Sequence, residues 1–301
     1  MEVRRFKLIN SENETYDFML KSHFLHSPSG LGFNRKDTFL NLGDNFVRVN
    51  QKSNQAAPSG KIAFIDDGNY DIYEQYHDFA LFISKEPLKL KYSPYGIEYT
   101  MDVVVKKLSK SEINQQGYLD CDIEFGSLTP WYKMVTIDYS DGAGLVPRED
   151  LYPSGSLTPR SPTQSIVVDY HNEGTLMAKS KLKIYGPTPA NDPYFRWGFG
   201  EGSGDKTGEV YCGANGLNSN QVLIIDCISI PYKIYRTSRA NVNTTDPSKQ
   251  VDMYDKSNFE TERFVTFNPG TDNVFILDNP SSIVGYPTRI VLEIMECYET
   301  V

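Results

Sequence analysis

The residues that could do chemistry in this 301-residue chain are scattered, and each group fails a spacing test. Glu293, Glu296 and Glu299 in EIMECYE are the densest carboxylates, as a glycan hydrolase would need. On a strand Glu293 and Glu299 share one face while Glu296 takes the other, so the three cannot converge. His23 and His26 form an HxxH pair with no acidic or thiol partner at ligand spacing, so no metal site is expected. Neither GxSxG nor HExxH occurs, which leaves no nucleophile elbow and no zinc-protease helix. The Gly200 to Gly208 run is glycine-rich, but it lacks the GK[ST] ending and opens no helix, so it is not read as a phosphate cradle. DDGNYD lacks the spacing and the closing glutamate of a calcium loop and reads as a helix start. Cys121, Cys212, Cys227 and Cys297 contain no CxxC pair and are expected to be reduced and buried. No catalytic residue, metal or cofactor is assigned.

One cluster suggests recognition. Pro193 to Phe199 (PYFRWGF) places Phe195, Trp197 and Phe199 on one strand face and Tyr194 and Arg196 on the other. Tyr194, Arg196 and Trp197 are the candidate platform for a sugar ring or a protein partner, provided that Trp197 lies exposed in a groove. The competing reading makes the aromatic face core and Arg196 a surface residue.

The elements that must position these residues are mostly strands. Glu2 to Asn10 and Tyr16 to Lys21 form an opening hairpin around the polar turn Ser11 to Glu14, with Val3, Phe6 and Ile9 apolar. His23 to Asn34 reads as a loop, and Asn45 to Lys52 and Lys61 to Ile65 as strands. One helix is expected from about Tyr70 to Ser84, on the stripe Ile72, Tyr73, Tyr76, Phe79, Ala80 and Ile83. Asp66, Asp67 and Asn69 are its cap candidates and Pro87 its stop. Strands Leu88 to Tyr92, Ile97 to Leu108 and Tyr118 to Phe125 follow. Gly126 and Pro130 then break the chain just before Trp131 and Tyr132, which are read as packing at a hinge. After it, Asp141 to Pro162 is a Gly/Pro/Ser-rich excursion, and short strands then recur to Tyr298 without a helical stripe. Repeated strands of this kind indicate a β-sandwich or jelly roll. The fold class is therefore mainly β: an N-terminal domain with one helix over residues 1–132 and a sandwich over 133–301.

Composition narrows the function classes. Lys and Arg number 30 against 39 Asp and Glu, a net charge of −9, which disfavours a dedicated nucleic-acid binder. Twenty tyrosines and 16 phenylalanines favour strands and association surfaces. No signal-peptide pattern opens the sequence and no apolar window approaches the ~18 residues of a membrane span, so folding in a cytoplasm is expected.

The order of parts resembles the distal tail proteins of long non-contractile-tailed phages that infect Gram-positive bacteria. The resemblance is carried by FGSLTPWYK at the end of the first domain, by Val222-Leu223-Ile224-Ile225-Asp226, and by Arg263 to Phe275 (RFVTFNPGTDNVF). It implies a non-enzymatic, homohexameric ring at the virion tail tip. That ring would join the tail tube protein to a tail-associated lysin, with receptor-binding proteins carried on outward galectin-like domains. DNA would pass through the ring without being specifically bound. The opening hairpin, with Val3, Phe6 and Ile9, would lie at the ring interface. Trp197-Gly198 matches part of the galectin WG motif, but no HxNxR precedes it. The alternative is a carbohydrate-binding module with its own scaffold domain; a polysaccharide-degrading sandwich enzyme is a third reading.

Overall fold

The computed structural model describes residues 4–32, 35–53, 57–66, 68, 71–140, 155–160, 165–188, 194–199, 206–212, 216–258, 265–270, 272–278 and 289–301. The chain divides into two compact units: Met1–Lys133 with Tyr298–Val301, and Met134–Cys297. The division falls inside one strand, and the last four residues group with the first unit. Both features differ from a boundary at 132/133 with everything beyond it in a sandwich.

The first unit holds β1 (Arg5–Ile9), β2 (Thr15–Asp17), β3 (His23–Ser29), β4 (Arg35–Leu42), β5 (Asn45–Ser53), β6 (Ser59–Ile65), α1 (Ile72–Ile83), β7 (Leu88–Ser93), β8 (Tyr99–Leu108), β9 (Tyr118–Ser127) and the start of β10 (Trp131–Ser140). Seven of the strands run in the order β3-β6-β9-β8-β7-β1-β2. The two ends of that row meet. Phe18 N donates to Phe6 O and Leu25 N donates to Phe18 O, each at 3.0 Å, so the sheet closes towards a barrel. β3 forms where a loop was expected because its ladder with β6, including Leu25 opposite Ile62, outweighs the turn signals of Pro28 and Gly30.

Helix α1 covers this sheet with Ile72, Gln75 and Phe79 buried. Its cap is Asp71, whose Oδ1 accepts from Tyr73 N at 2.8 Å and Glu74 N at 3.3 Å. Asp66, one of the expected caps, instead accepts from Gly68 N and closes the preceding turn. Aromatic residues fill the space beneath. Tyr16, Phe18, Phe64 and Phe82 each lie within 6.5 Å of the Phe79 ring.

His23 stacks on Tyr16 at 4.3 Å, and burial lowers its pKa below the usual 6.5, with neighbouring Asp17 opposing the shift. The folded chain therefore holds this ring neutral at a pH where the unfolded chain binds a proton. That stability is fully present above about pH 6.5 and is lost as pH falls through the lowered value. The urea midpoint of the first unit should fall between about pH 7.5 and pH 5.5, and a His23→Phe variant should show a smaller fall. An equal fall in both proteins would assign the dependence to other groups.

The second unit contains the rest of β10, then β11 (Gly155–Arg160), β12 (Ser165–His171), β13 (Leu176–Tyr185), β14 (Tyr194–Phe199), β15 (Lys206–Tyr211), β16 (Gln221–Asp226), β17 (Lys233–Ser238), β18 (Val251–Asp252), β19 (Ser257–Asn258), β20 (Thr266–Phe267), β21 (Asp272–Asp278) and β22 (Arg289–Tyr298). One sheet carries β18-β17-β16-β13-β22 and the other β11-β12-β21-β14-β15-β19. Leu182, Ile184, Leu223, Ile225, Leu292 and Ile294 of the first sheet share a core with Phe195, Trp197 and Val210 of the second. In β16, Val222 and Ile224 are as buried as Leu223 and Ile225, because the outer face is covered by Tyr185, Tyr235 and Val291. Asp226 ends that strand. It pairs with Lys181 at 2.8 Å and accepts from the backbone N–H groups of Ile228 and Ser229, which closes the turn.

Within the expected 141–162 excursion, Gly155–Arg160 forms β11 on β12, and 141–154 and 161–162 lie outside the described residues. The four cysteines are buried and form no disulfide. Burial pushes the Cys227 thiol up to about 12, far from the reactive thiolate.

Candidate assembly interface

β4 and β5 form a two-stranded sheet that pairs with no other strand among the described residues. Their register runs from Arg35 opposite Ser53 to Leu42 opposite Asn45, with a bulge where Thr38 pairs with Asn50 and Phe39 with Arg48. The loop is Gly43-Asp44, and Gly43 takes φ +68°. A positive φ at the first of two loop residues is the type II′ requirement, which suits the twist of a tight hairpin. Residues 36 to 50 are all exposed. Among them stand Phe39 at 56%, Leu40 at 51%, Leu42 at 56%, Phe46 at 71%, Val47 at 45% and Val49 at 57% exposure.

An isolated two-stranded hairpin is marginal in water, and six clustered apolar residues left in solvent are costly. Covering each would contribute roughly 1.5–3 kcal/mol, part of which is already realised at half exposure. Such an arm is chemically suited to docking on protein. The sequence reading recognised β5 but not β4. The missed signal was the two-residue Gly43-Asp44 link between apolar runs, Phe39 to Leu42 and Phe46 to Val49.

The residues singled out from sequence lie elsewhere. Phe6 is 1% exposed and stacks on Tyr92 at 4.7 Å, so it belongs to the core and is not open to a neighbour. Ile9 is half-buried, and Val3 lies outside the described residues. The strand alternation explains the error: Phe6 and Leu8 share the inward face, with Leu8 wholly buried.

Trp131 is 1% exposed within the first-unit core, 5.9 Å from Tyr92. Tyr132 is buried too, and its hydroxyl donates to Asp102 Oδ1 at 3.0 Å. Both follow a short break, Leu128 to Pro130, across which the chain keeps to one edge of β8: Leu128 N donates to Asp102 O, and Tyr132 then lies opposite Thr100, so they complete the first unit.

Trp197 is 1% exposed and sits in the sandwich core with Phe195. A buried indole cannot stack on a sugar, so the platform is withdrawn at its central residue. The side chains of Tyr194 and Arg196 lie outside the description. In the second unit an open cleft of about 590 Å³ is lined by Ile230, Pro231, Tyr232 and Tyr254.

The carboxylates are also occupied. Glu293 pairs with Lys183, and Glu296, 2% exposed, accepts from the Tyr170 hydroxyl. His26 Nε2 lies 3.0 Å from Asp120 Oδ1, apart from the half-buried, Tyr16-stacked His23.

A second exposed feature is the β7–β8 turn. Tyr95 is 88% exposed at φ +53°, beside Ile97 at 52% exposure. The left-handed region costs a tyrosine about 1–2 kcal/mol, and an exposed ring recovers little of it. Tyr95→Asn should raise the stability of the isolated chain by about 0.5–1 kcal/mol in chemical denaturation, because asparagine tolerates that conformation. A loss of stability would show that the ring makes contacts that its exposure hides.

Residues 5–128 match the family model "Distal tail protein, N-terminal domain". No curated protein matches the chain. Among solved structures it is similar to a chain of the phage p2 baseplate in its activated conformation, at 15% identity over 100% of both chains with a TM-score of 0.63. It is also similar to SPP1 Dit (gp 19.1), a hub of the adsorption apparatus in phages infecting Gram-positive bacteria, at 10% identity over 97% of this chain and 98% of that one, with a TM-score of 0.59. At these identities the two structures speak for the fold.

Proposed function

We propose, on the match of residues 5–128 to the N-terminal domain of distal tail proteins, that the chain is a phage distal tail protein and forms a homohexameric ring at the tail tip. The ring joins the tail tube protein to the tail-associated lysin, and the second unit, read as galectin-like, carries receptor-binding proteins. DNA passes through the ring unbound, in keeping with a chain of net charge −9. The chain is folded in the host cytoplasm and works without a cofactor and without catalysis.

The observation that carries this reading is the β4–β5 arm. It exposes six large apolar residues within the matched domain, each left 45–71% open. In a ring each arm reaches the next copy, a head-to-tail contact that closes when the rotation closes. Glycan recognition, the other reading of the second unit, has lost the Trp197 platform that motivated it.

Electron microscopy of virions labelled with antibody against residues 165–301 tests the placement. Label at the tail tip is expected. Label along the tail tube or on the capsid would overturn the proposal.

A further inference from the structure

We propose that the β4–β5 arm is gripped on both of its faces by neighbouring copies of this chain, filling a slot instead of lying on one surface, a proposal that rests on the ring reading above. Successive residues of a strand point to opposite faces. From the bulge to the tip, Leu40, Leu42, Asn45 and Val47 therefore share one face, and Phe39, Asn41, Phe46 and Arg48 the other. The three aliphatic residues of the first face are 45–56% exposed. The second presents two phenylalanines at 56% and 71% exposure, beside Arg48, which lies 3.9 Å from Asp37.

A hairpin built to lie on one surface alternates apolar and polar residues, so that its outer face stays wet. This arm does not alternate in that way. Both faces carry large apolar side chains, so covering one would leave the other exposed in the assembly.

The occupant follows from charge. Residues 35–53 hold four bases (Arg35, Lys36, Arg48 and Lys52) and two acids (Asp37 and Asp44), a net charge of +2. Since the whole chain is −9, the remainder carries −11. A basic, apolar arm, whose strands pair with no other strand among the described residues, is thus attached to an acidic body, and other copies of that body offer complementary charge.

The native cysteines give the test a quiet background, because all four are buried. Val47→Cys reports on the aliphatic face and Phe46→Cys on the aromatic face. Each variant is first weighed in solution and then labelled with a maleimide, both assembled and dissociated by dilution. Both thiols should react at least about tenfold more slowly in the assembly, since thiol reactivity follows exposure. If Phe46→Cys and a second aromatic-face variant, Phe39→Cys, react equally fast in both states while Val47→Cys is protected, the slot is wrong and the arm is covered on one face. Loss of assembly from either aromatic-face substitution would count for the slot, because an uncovered side chain can be shortened freely. If the unmodified chain never assembles, the ring reading fails first, and its mass shows that before any labelling.

Discussion

Replacing Phe39, Leu40, Phe46 and Val47 together by serine yields a folded chain that no longer assembles. All four are at least 45% exposed in the single chain, and their hairpin joins no other sheet among the described residues, so the fold loses little. The interface loses four apolar anchors. Even at ~1.5 kcal/mol each, the low end for a buried aliphatic or aromatic side chain, association weakens by roughly 10⁴-fold. Light scattering should report the single-chain mass at concentrations where the native chain is oligomeric. Thermal unfolding should stay within a few degrees of native, which separates lost docking from lost folding. An unchanged mass would remove the arm from the interface.

Trp197→Ala has the second large effect, and it acts on folding. The indole is wholly buried between the sheets of the second unit. It also lies against Gly208, its cross-strand partner, so closely that an added Cβ there would come within 2.1 Å of the ring. Emptying such a site costs about 3–5 kcal/mol, and the neighbouring strands cannot collapse into it without breaking the register. The transition of the second unit should fall by roughly 10 °C, and Gly208→Ala should be similarly damaging. A Trp197→Ala protein as stable as native, with altered ligand binding, would return the residue to the surface role first considered for it.

These two cases show how far the sequence could be read. The β-rich class, the single helix and the sandwich followed from apolar alternation and from the stripe ending in Ile83, because both periods reflect burial directly. The resemblance to distal tail proteins was legible from the order of strands, and residues 5–128 match that family's N-terminal domain. The interface was not, because alternation reports which residues want cover and does not say whether the chain itself provides it. Phe6 and Phe46 look alike in sequence; one is core and the other is exposed at an arm tip. Trp197 failed for the converse reason. Tryptophan, tyrosine and arginine together are typical of recognition surfaces, yet a strand in a two-sheet sandwich must bury one face, and Phe195 and Trp197 lie on it. The cap at Asp71 was missed by a few residues because four candidate acids and amides precede the stripe, and only backbone geometry selects among them.

The central claim is that this chain builds a ring from copies of itself. Native mass spectrometry of the full chain across a wide concentration range tests it most directly. The account predicts a closed species of six chains, each of 34.1 kDa, with the four-serine arm variant a monomer under the same conditions. A native chain of 34.1 kDa at every concentration, indistinguishable from the arm variant, would contradict it.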